Sequence, residues 1–232
     1  MERIGAAMDE RIQELLDSYE DLYISGDCVD GKVEIAGQIH VFRQIKQFTL
    51  NRRYEILLVI PLDKSKLPQI FETGNDIDKD YIHRYEDGKL CLATDIDMVE
   101  AFVRNDSLVI WMKDFVEPYF VSYEYYRRYG EFPSGDREHG EKGILQSYAE
   151  IFTTDGITAL HIIEYISNGV YRGHHPCPCG SGEKLRKCHG EKIMRFINNQ
   201  QLLSQTKKDY SSILERIRKD VARQYKNSNS RK

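Results

Sequence analysis

Four side chains of strongly metal-ligating types, Cys177, Cys179, Cys188 and His189, fall within thirteen consecutive positions of the run from His174 to Gly190. Thiolate sulfur and imidazole nitrogen suit a tetrahedral zinc ion at about 2.0 to 2.3 Å, and three cysteines with one histidine close all four positions, leaving no reactive water. Such a site builds a fold rather than a reaction. A zinc ion held this way can supply on the order of 10 kcal/mol of folding free energy to a peptide too short to have a core. Gly180, Ser181 and Gly182 let the chain turn sharply after the first cysteine pair, and Pro176 and Pro178 stiffen it. An ordinary cysteine-rich loop is the alternative, and three of five cysteines within twelve residues weigh against it. The other candidate is Cys91, on a polar stretch bearing Asp87 and Gly88. A lone cysteine is commonly a small buried hydrophobe, but a thiol on a polar, glycine-bearing loop is also placed to react.

The run from 174 to 190, with its C-x-C-x8-C-H spacing, resembles the SEC-C zinc motif, named for its place at the carboxyl end of the SecA translocation ATPase. The resemblance implies a small protein- or scaffold-binding appendage and says nothing about the rest of the chain.

The elements that must position these groups follow from periodicity. Met8 to Tyr19 carries Ile12, Leu15, Leu16 and Tyr19 at helical spacing. Strands are expected at Leu22–Ser25, Val33–Phe42 (interrupted by Gly37), Tyr54–Ile60 (stopped by Pro61) and Pro68–Glu72. After Cys91 the period changes: Leu108, Trp111, Met112, Phe115, Val116, Tyr119 and Phe120 form the apolar stripe of a helix that Pro118 should kink or divide. Glu141–Phe152 and Ile157–Ile166 read as helices, the second stopping at Asn168-Gly169. Ile193–Leu203 and the stripe Tyr210, Ile213, Leu214, Ile217 and Val221 read as two amphipathic helices, with 227–232 a frayed end. His161 reads as a packed or capping residue on its helix.

Helix, four-strand meander, proline-marked turn, histidine, then Gly88-Lys89-Leu90-Cys91-Leu92 before a tryptophan-bearing helix is similar to the ubiquitin-conjugating enzyme (UBC-like) fold over about residues 8 to 150. That family carries Gly-x-Ile-Cys-Leu at its active cysteine, preceded by a His-Pro-Asn triplet. Here the triplet is Tyr81-Ile82-His83: His83 stands at the asparagine position, eight residues before Cys91, and the proline is absent. The departure resembles a divergent bacterial branch that includes proteins of antiphage operons. A His139-Gly140 after Gly130-Glu131-Phe132-Pro133 also looks like that branch; His139 either approaches Cys91 or is an exposed loop residue. The resemblance implies a carrier's carboxyl terminus held as a thioester on Cys91 and passed to an amine or thiol. A donor fixed near the oxyanion of the tetrahedral intermediate is worth about 3 kcal/mol, and a histidine ring nitrogen can donate as an asparagine amide would. The acidic neighbours Glu86, Asp87, Asp95 and Asp97 argue against a cysteine protease and suit an enzyme loaded by an activating partner. Asp95 or Asp97 could orient an incoming lysine.

Composition sets the outer bounds. The chain has 232 residues, 41% hydrophobic, with 15 Tyr and 9 Phe, enough for a globular core and an appendage. No apolar run of membrane-spanning length and no basic-then-apolar amino terminus occurs, so a cytoplasmic protein with no membrane partner is expected. Free thiols beside a zinc cluster agree with a reducing compartment. Glycine-rich phosphate loops and His-Glu-x-x-His are absent. The net charge of −4 divides unevenly: Glu183–Lys232 carries 14 Lys and Arg against 5 Asp and Glu, net +9, leaving −13 for residues 1 to 176, the stretch between being uncharged. Such a tail is either the solvated face of helices or a surface for nucleic acid or an acidic partner.

The expected protein is therefore α+β: a UBC-like domain over 1–152 with a four-stranded antiparallel meander flanked by helices, a helical connector over 153–173, a SEC-C zinc motif over 174–190 and a basic helical tail over 191–232. The expected function is thioester transfer by Cys91 with His83 supporting the oxyanion, a structural zinc, and protein partners comprising a ubiquitin-like carrier, its target and an activating enzyme. A catalytically silent adaptor binding protein or nucleic acid is the alternative.

Overall fold

The computed structural model describes residues 9–26, 28–133, 135 and 138–229, except the side chains of 225 and 227–229. Met8 and residues 230–232 of the expected frayed end lie outside this description. The chain divides into two compact units, Met1–Ala93 with Ala101–Asp136, and Thr94–Glu100 with Arg137–Lys232. Among the described residues the architecture is α+β with a four-stranded antiparallel sheet, as expected.

In the first unit, α1 (Glu10–Ser18) is capped by Asp9, whose side chain accepts from the Arg11 amide, and buries Ile12 and Leu15. The strands β1 (Leu22–Ile24), β2 (Lys32–Ile45), β3 (Phe48–Pro61) and β4 (Gln69–Glu72) pair in chain order. β2 and β3 run on past their expected limits at Phe42 and Tyr54, to a hairpin whose last pair is Ile45 with Phe48. Alternation carries them there: Val41, Leu50 and Tyr54 point inward, while Phe42, Gln44, Thr49, Asn51 and Arg53 are outward or half-covered. One face of the sheet, with Ile35, Ile39, Ile56, Leu58 and Ile70, packs on α1 and on Trp111, Met112, Val116 and Phe120.

Gly37 does not interrupt β2; it lets β1 approach. Its φ is +139°, and a Cβ there would lie 2.0 Å from the Asp21 carbonyl oxygen. Gly37→Ala is therefore expected to destabilise the first unit by about 3 kcal/mol or more, read as a lowered urea midpoint. A midpoint equal to wild type would mean that the β1 junction yields freely.

The long stripe helix is α3 (Leu108–Trp111), a π-helical turn (Met112–Val116) and α4 (Glu117–Tyr129) without a break. Pro118 has no N–H for an α-helical bond, and the division expected there takes the form of this widened turn, in which the Glu117 amide bonds to Met112 O. An unexpected helix, α2 (Asp95–Arg104), precedes it. Thr94 caps it reciprocally: the Asp97 amide donates to Thr94 Oγ1, which donates to Asp97 Oδ2 at 2.9 Å.

The second unit is helical: α5 (Glu141–Phe152), α6 (Gly156–Ser167), α7 (Gly190–Asn198) and α8 (Gln200–Asn229). Its core includes Tyr148, Phe152, Ile162, Ile163, Ile166, Ile193, Phe196 and Leu202. α6 begins at Asp155, which accepts from the Ile157 and Thr158 amides. The segment expected as one helix over Ile193–Leu203 breaks at Asn199, whose side chain caps α8. His161 is exposed in mid-helix, neither packed nor capping as expected, because α6 turns Ala159, Ile162, Ile163 and Ile166 inward instead. No described helix is long and apolar enough to cross a membrane.

Asp209 of α8 is 4% exposed. It accepts bonds from Tyr148 at 3.0 Å and Gln205 at 2.7 Å. Burial outweighs those bonds and pushes its carboxyl up to about 6. A carboxyl that holds its proton more tightly folded than unfolded adds stability as pH falls through its folded value, levelling off near the unfolded one. The second unit should thus gain up to about 3 kcal/mol between pH 7.5 and pH 4 from this group, and Asp209→Asn should remove that part of the pH dependence in denaturation midpoints. Parallel pH curves for the two proteins would reject the assignment.

Candidate functional site

After α6, Gly169 takes φ +69° and closes the helix end through its amide to Ile166 O. The chain then folds back on itself. The Cys177 amide bonds to Glu183 O at 2.8 Å, Leu185 to His175 O at 2.8 Å, and Arg186 to Gly173 O at 3.0 Å. Between these rungs, Gly180 and Gly182 adopt φ near +77° and +78°, the sharp turn that the sequence anticipates. A short 3-10 turn (Leu185–Lys187) follows, and His189 is the residue on which α7 starts. Cys177 and Cys179 thus come from the turn, Cys188 from the end of the 3-10 turn and His189 from the helix cap.

Their four donor atoms lie within 4.8 Å of one another. Cys179 and Cys188 sulfurs are 3.5 Å apart, and His189 Nδ1 lies 3.4 Å from the Cys177 sulfur and 3.2 Å from that of Cys188. Ligands of a tetrahedral zinc ion stand about 3.6 to 3.8 Å apart, given bonds of about 2.0 to 2.3 Å. The donor set and its spacing fit such an ion. Burial pushes the Cys177 thiol up to about 11, whereas Cys179, against the effect of burial, is held down to about 6 by the Ser181 hydroxyl and amide.

Residues outside the ligand set hold it in place. Leu185 is fully buried. A Cβ on Gly190 would lie 2.5 Å from Leu185 O and 2.7 Å from the Tyr171 hydroxyl, so only glycine lets α7 start this close to the turn. Lys192 donates to Ile151 O at 2.8 Å, tying α7 to the end of α5, and Phe152 stands edge-on to the His189 ring. The sequence reading passed over Tyr171, Leu185, Gly190 and Lys192; a glycine directly after a ligand histidine was the available signal.

Cys91 lies at the far end of a segment more ordered than the expected loop. Tyr85–Gly88 forms a turn, with Gly88 at φ +86°. Lys89 bridges to Phe71, and the Leu90 amide bonds to Ile70 O at 2.9 Å, so the segment lines the edge of β4. The Cys91 amide then bonds to His83 O at 2.8 Å, which sets the two residues opposite each other. Both are half-buried. The His83 ring stands edge-on to Tyr81 and to Phe132, at 5.5 Å and 5.3 Å. The carboxylates expected to orient a lysine are engaged: Asp95 pairs with Lys208 at 3.0 Å, and Asp97 accepts from Thr94 and Ser147. His139 is exposed ahead of α5.

The family model of the SEC-C motif matches residues 176–191. No curated protein and no solved structure matches the chain. With three cysteines and a histidine gathered to ligand spacing, residues 176–191 fit a zinc-binding SEC-C motif.

Proposed function

We propose that Cys177, Cys179, Cys188 and His189 hold one structural zinc ion, which stabilises the helical second unit as a docking platform for a protein partner. The convergence of four donor atoms within 4.8 Å carries this reading. When bound, the ion supplies closed tetrahedral cross-linking; the chain's own part is to orient the donors through the rungs at Cys177, Leu185 and Arg186. Elemental analysis of protein purified without chelator should find one zinc per chain, and a metal-free chain would overturn it.

We further propose that the first unit carries a protein carboxyl terminus on Cys91. What supports this is the half-buried thiol at the sheet edge, fixed opposite His83 through the backbone. In loading, the Cys91 sulfur attacks the thioester of a carrier activated by a partner enzyme; its bond to the acyl carbon forms, the partner's sulfur–carbon bond breaks, and the Cys91 proton leaves with the partner's thiol. In discharge an amine attacks the same carbon, the Cys91 bond breaks and the thiol regains a proton lost by the amine. His83 donates to the oxyanion in each intermediate. The setting is a bacterial cytoplasm, with antiphage defence as the context. Crosslinking Cys91 in its native host and identifying the attached protein by mass spectrometry tests this. The engagement of Asp95 and Asp97 favours a second reading, the silent adaptor, and a host in which Cys91 acquires no adduct would select it.

A further inference from the structure

We propose that Tyr119 is a positioning residue for Cys91, acting through the His83 carbonyl, and that the π-helical turn before it serves to aim it there. The inference rests on the reading of Cys91 as the working thiol; the geometry beneath it does not.

A carbonyl oxygen has two lone pairs. Those of His83 are met by two donors, the Cys91 amide at 2.8 Å and the Tyr119 hydroxyl at 3.2 Å. A carbonyl so filled is a joint between the Cys91 segment and α4. Tyr119 is 6% exposed, and its ring is fixed edge-on against Tyr81 at 5.9 Å and Phe120 at 5.6 Å, which leaves the hydroxyl little freedom. Four residues on, the Tyr123 hydroxyl accepts the Asp78 amide at 3.1 Å. Three further, Tyr126 stacks at 4.6 Å on Phe132, the ring that borders His83. Residues 119, 123 and 126 share one helix face, so this tyrosine face holds the chain between Asp78 and Cys91 at three successive levels.

The π-helical turn Met112–Val116 sets the phase of that face. One extra residue in a turn rotates everything after it by about 100°. An uninterrupted α-helix from Leu108 would therefore carry the three tyrosines away from His83. Pro118, lacking the N–H that an α turn would have to satisfy, favours the wide turn.

The test uses the full chain. Tyr119→Phe keeps the ring and removes only the hydroxyl. Hydrogen exchange by NMR should show the Cys91 amide exchanging about three- to tenfold faster, with the Leu58 amide in the sheet still strongly protected and the melting temperature lowered by no more than about 10 °C. Discharge to a saturating amine should slow by a similar factor at unchanged KM. Unchanged exchange at Cys91 overturns the proposal, whatever the transfer data. Faster exchange in a protein whose wild type forms no thioester would uphold the positioning role and remove the reading of Cys91 as an acyl carrier. Should Tyr119→Phe lose its fold, seen as fast exchange at Leu58 as well, Tyr123→Phe carries the test: the Asp78 amide must then exchange faster, and its failure to do so overturns the shared role of the tyrosine face.

Discussion

Replacing Cys177 by serine is expected to empty the metal centre and to lower the melting temperature of the second unit by more than about 10 °C, at about 4 to 8 °C per kcal/mol for a unit of this size. Cys177 is the most buried ligand, 4% exposed, and its amide opens the ladder that closes the turn. A serine hydroxyl does not ionise to a comparable ligand, so three donors remain around a hole. Isolated zinc peptides draw about 10 kcal/mol or more from their ion. Here Leu185, Phe152 and Phe196 hold part of the unit without it, and a loss of about 3 kcal/mol is the reasoned share. The chain's one tryptophan, Trp111, lies in the first unit, so its fluorescence reports that unit, while far-ultraviolet dichroism is weighted toward the helical second one. The dichroism transition should fall in the variant and the fluorescence transition should not. A chelator should move wild type in the same way and leave Cys177→Ser unmoved. Zinc loss without any shift in melting would make the ion an ornament of the surface rather than a part of the fold.

How far the sequence could be read depended on whether a feature is local. The ligand set was legible because all four donors lie in one short run and glycines mark its turn. The count and order of the strands followed from short apolar runs, one of them alternating, bounded by turn residues and prolines, and α5 was read from its local sequence as well. What escaped depends on a few polar contacts or on partners distant in the chain. The capping exchange between Thr94 and Asp97 starts α2 in a stretch whose acidic residues looked like loop. Asn199 breaks a helix with one side-chain oxygen, inside an apolar period that continues on both sides. β2 and β3 outrun their apolar residues because a two-residue turn allows pairing to continue through Arg43, Gln44 and Thr49. The approach of Tyr119 to His83 joins residues 36 apart, through a change of helical phase to which Pro118 was the only pointer. The ubiquitin-conjugating likeness rests on element order and five residues around Cys91, and no matched protein of known structure extends it.

Cys91→Ser is expected to abolish any adduct that reductant can release, and His83→Ala to slow discharge about 100-fold while slowing loading less. A serine at this position can at most form an oxygen ester, which reductant does not cleave, so gel mobility with and without reductant separates the outcomes. The asymmetry for His83 follows from who supplies the donors. If Cys91 works as proposed, the activating partner's own groups also face the acyl carbon during loading. During discharge, on the same proposal, the oxyanion would depend on this chain alone, and losing one such donor costs about 3 kcal/mol. Alanine keeps the His83 carbonyl, and with it the bonds from Cys91 and Tyr119, so the backbone joint survives the substitution. The substitution does remove the ring's edge contacts with Tyr81 and Phe132. His83→Phe restores an aromatic ring at that place without a donor nitrogen. Discharge as slow in His83→Phe as in His83→Ala locates the effect in the imidazole hydrogen bond. Recovery in His83→Phe, or equal slowing of loading and discharge in both variants, would reduce His83 to a packing residue and leave the oxyanion to some other group.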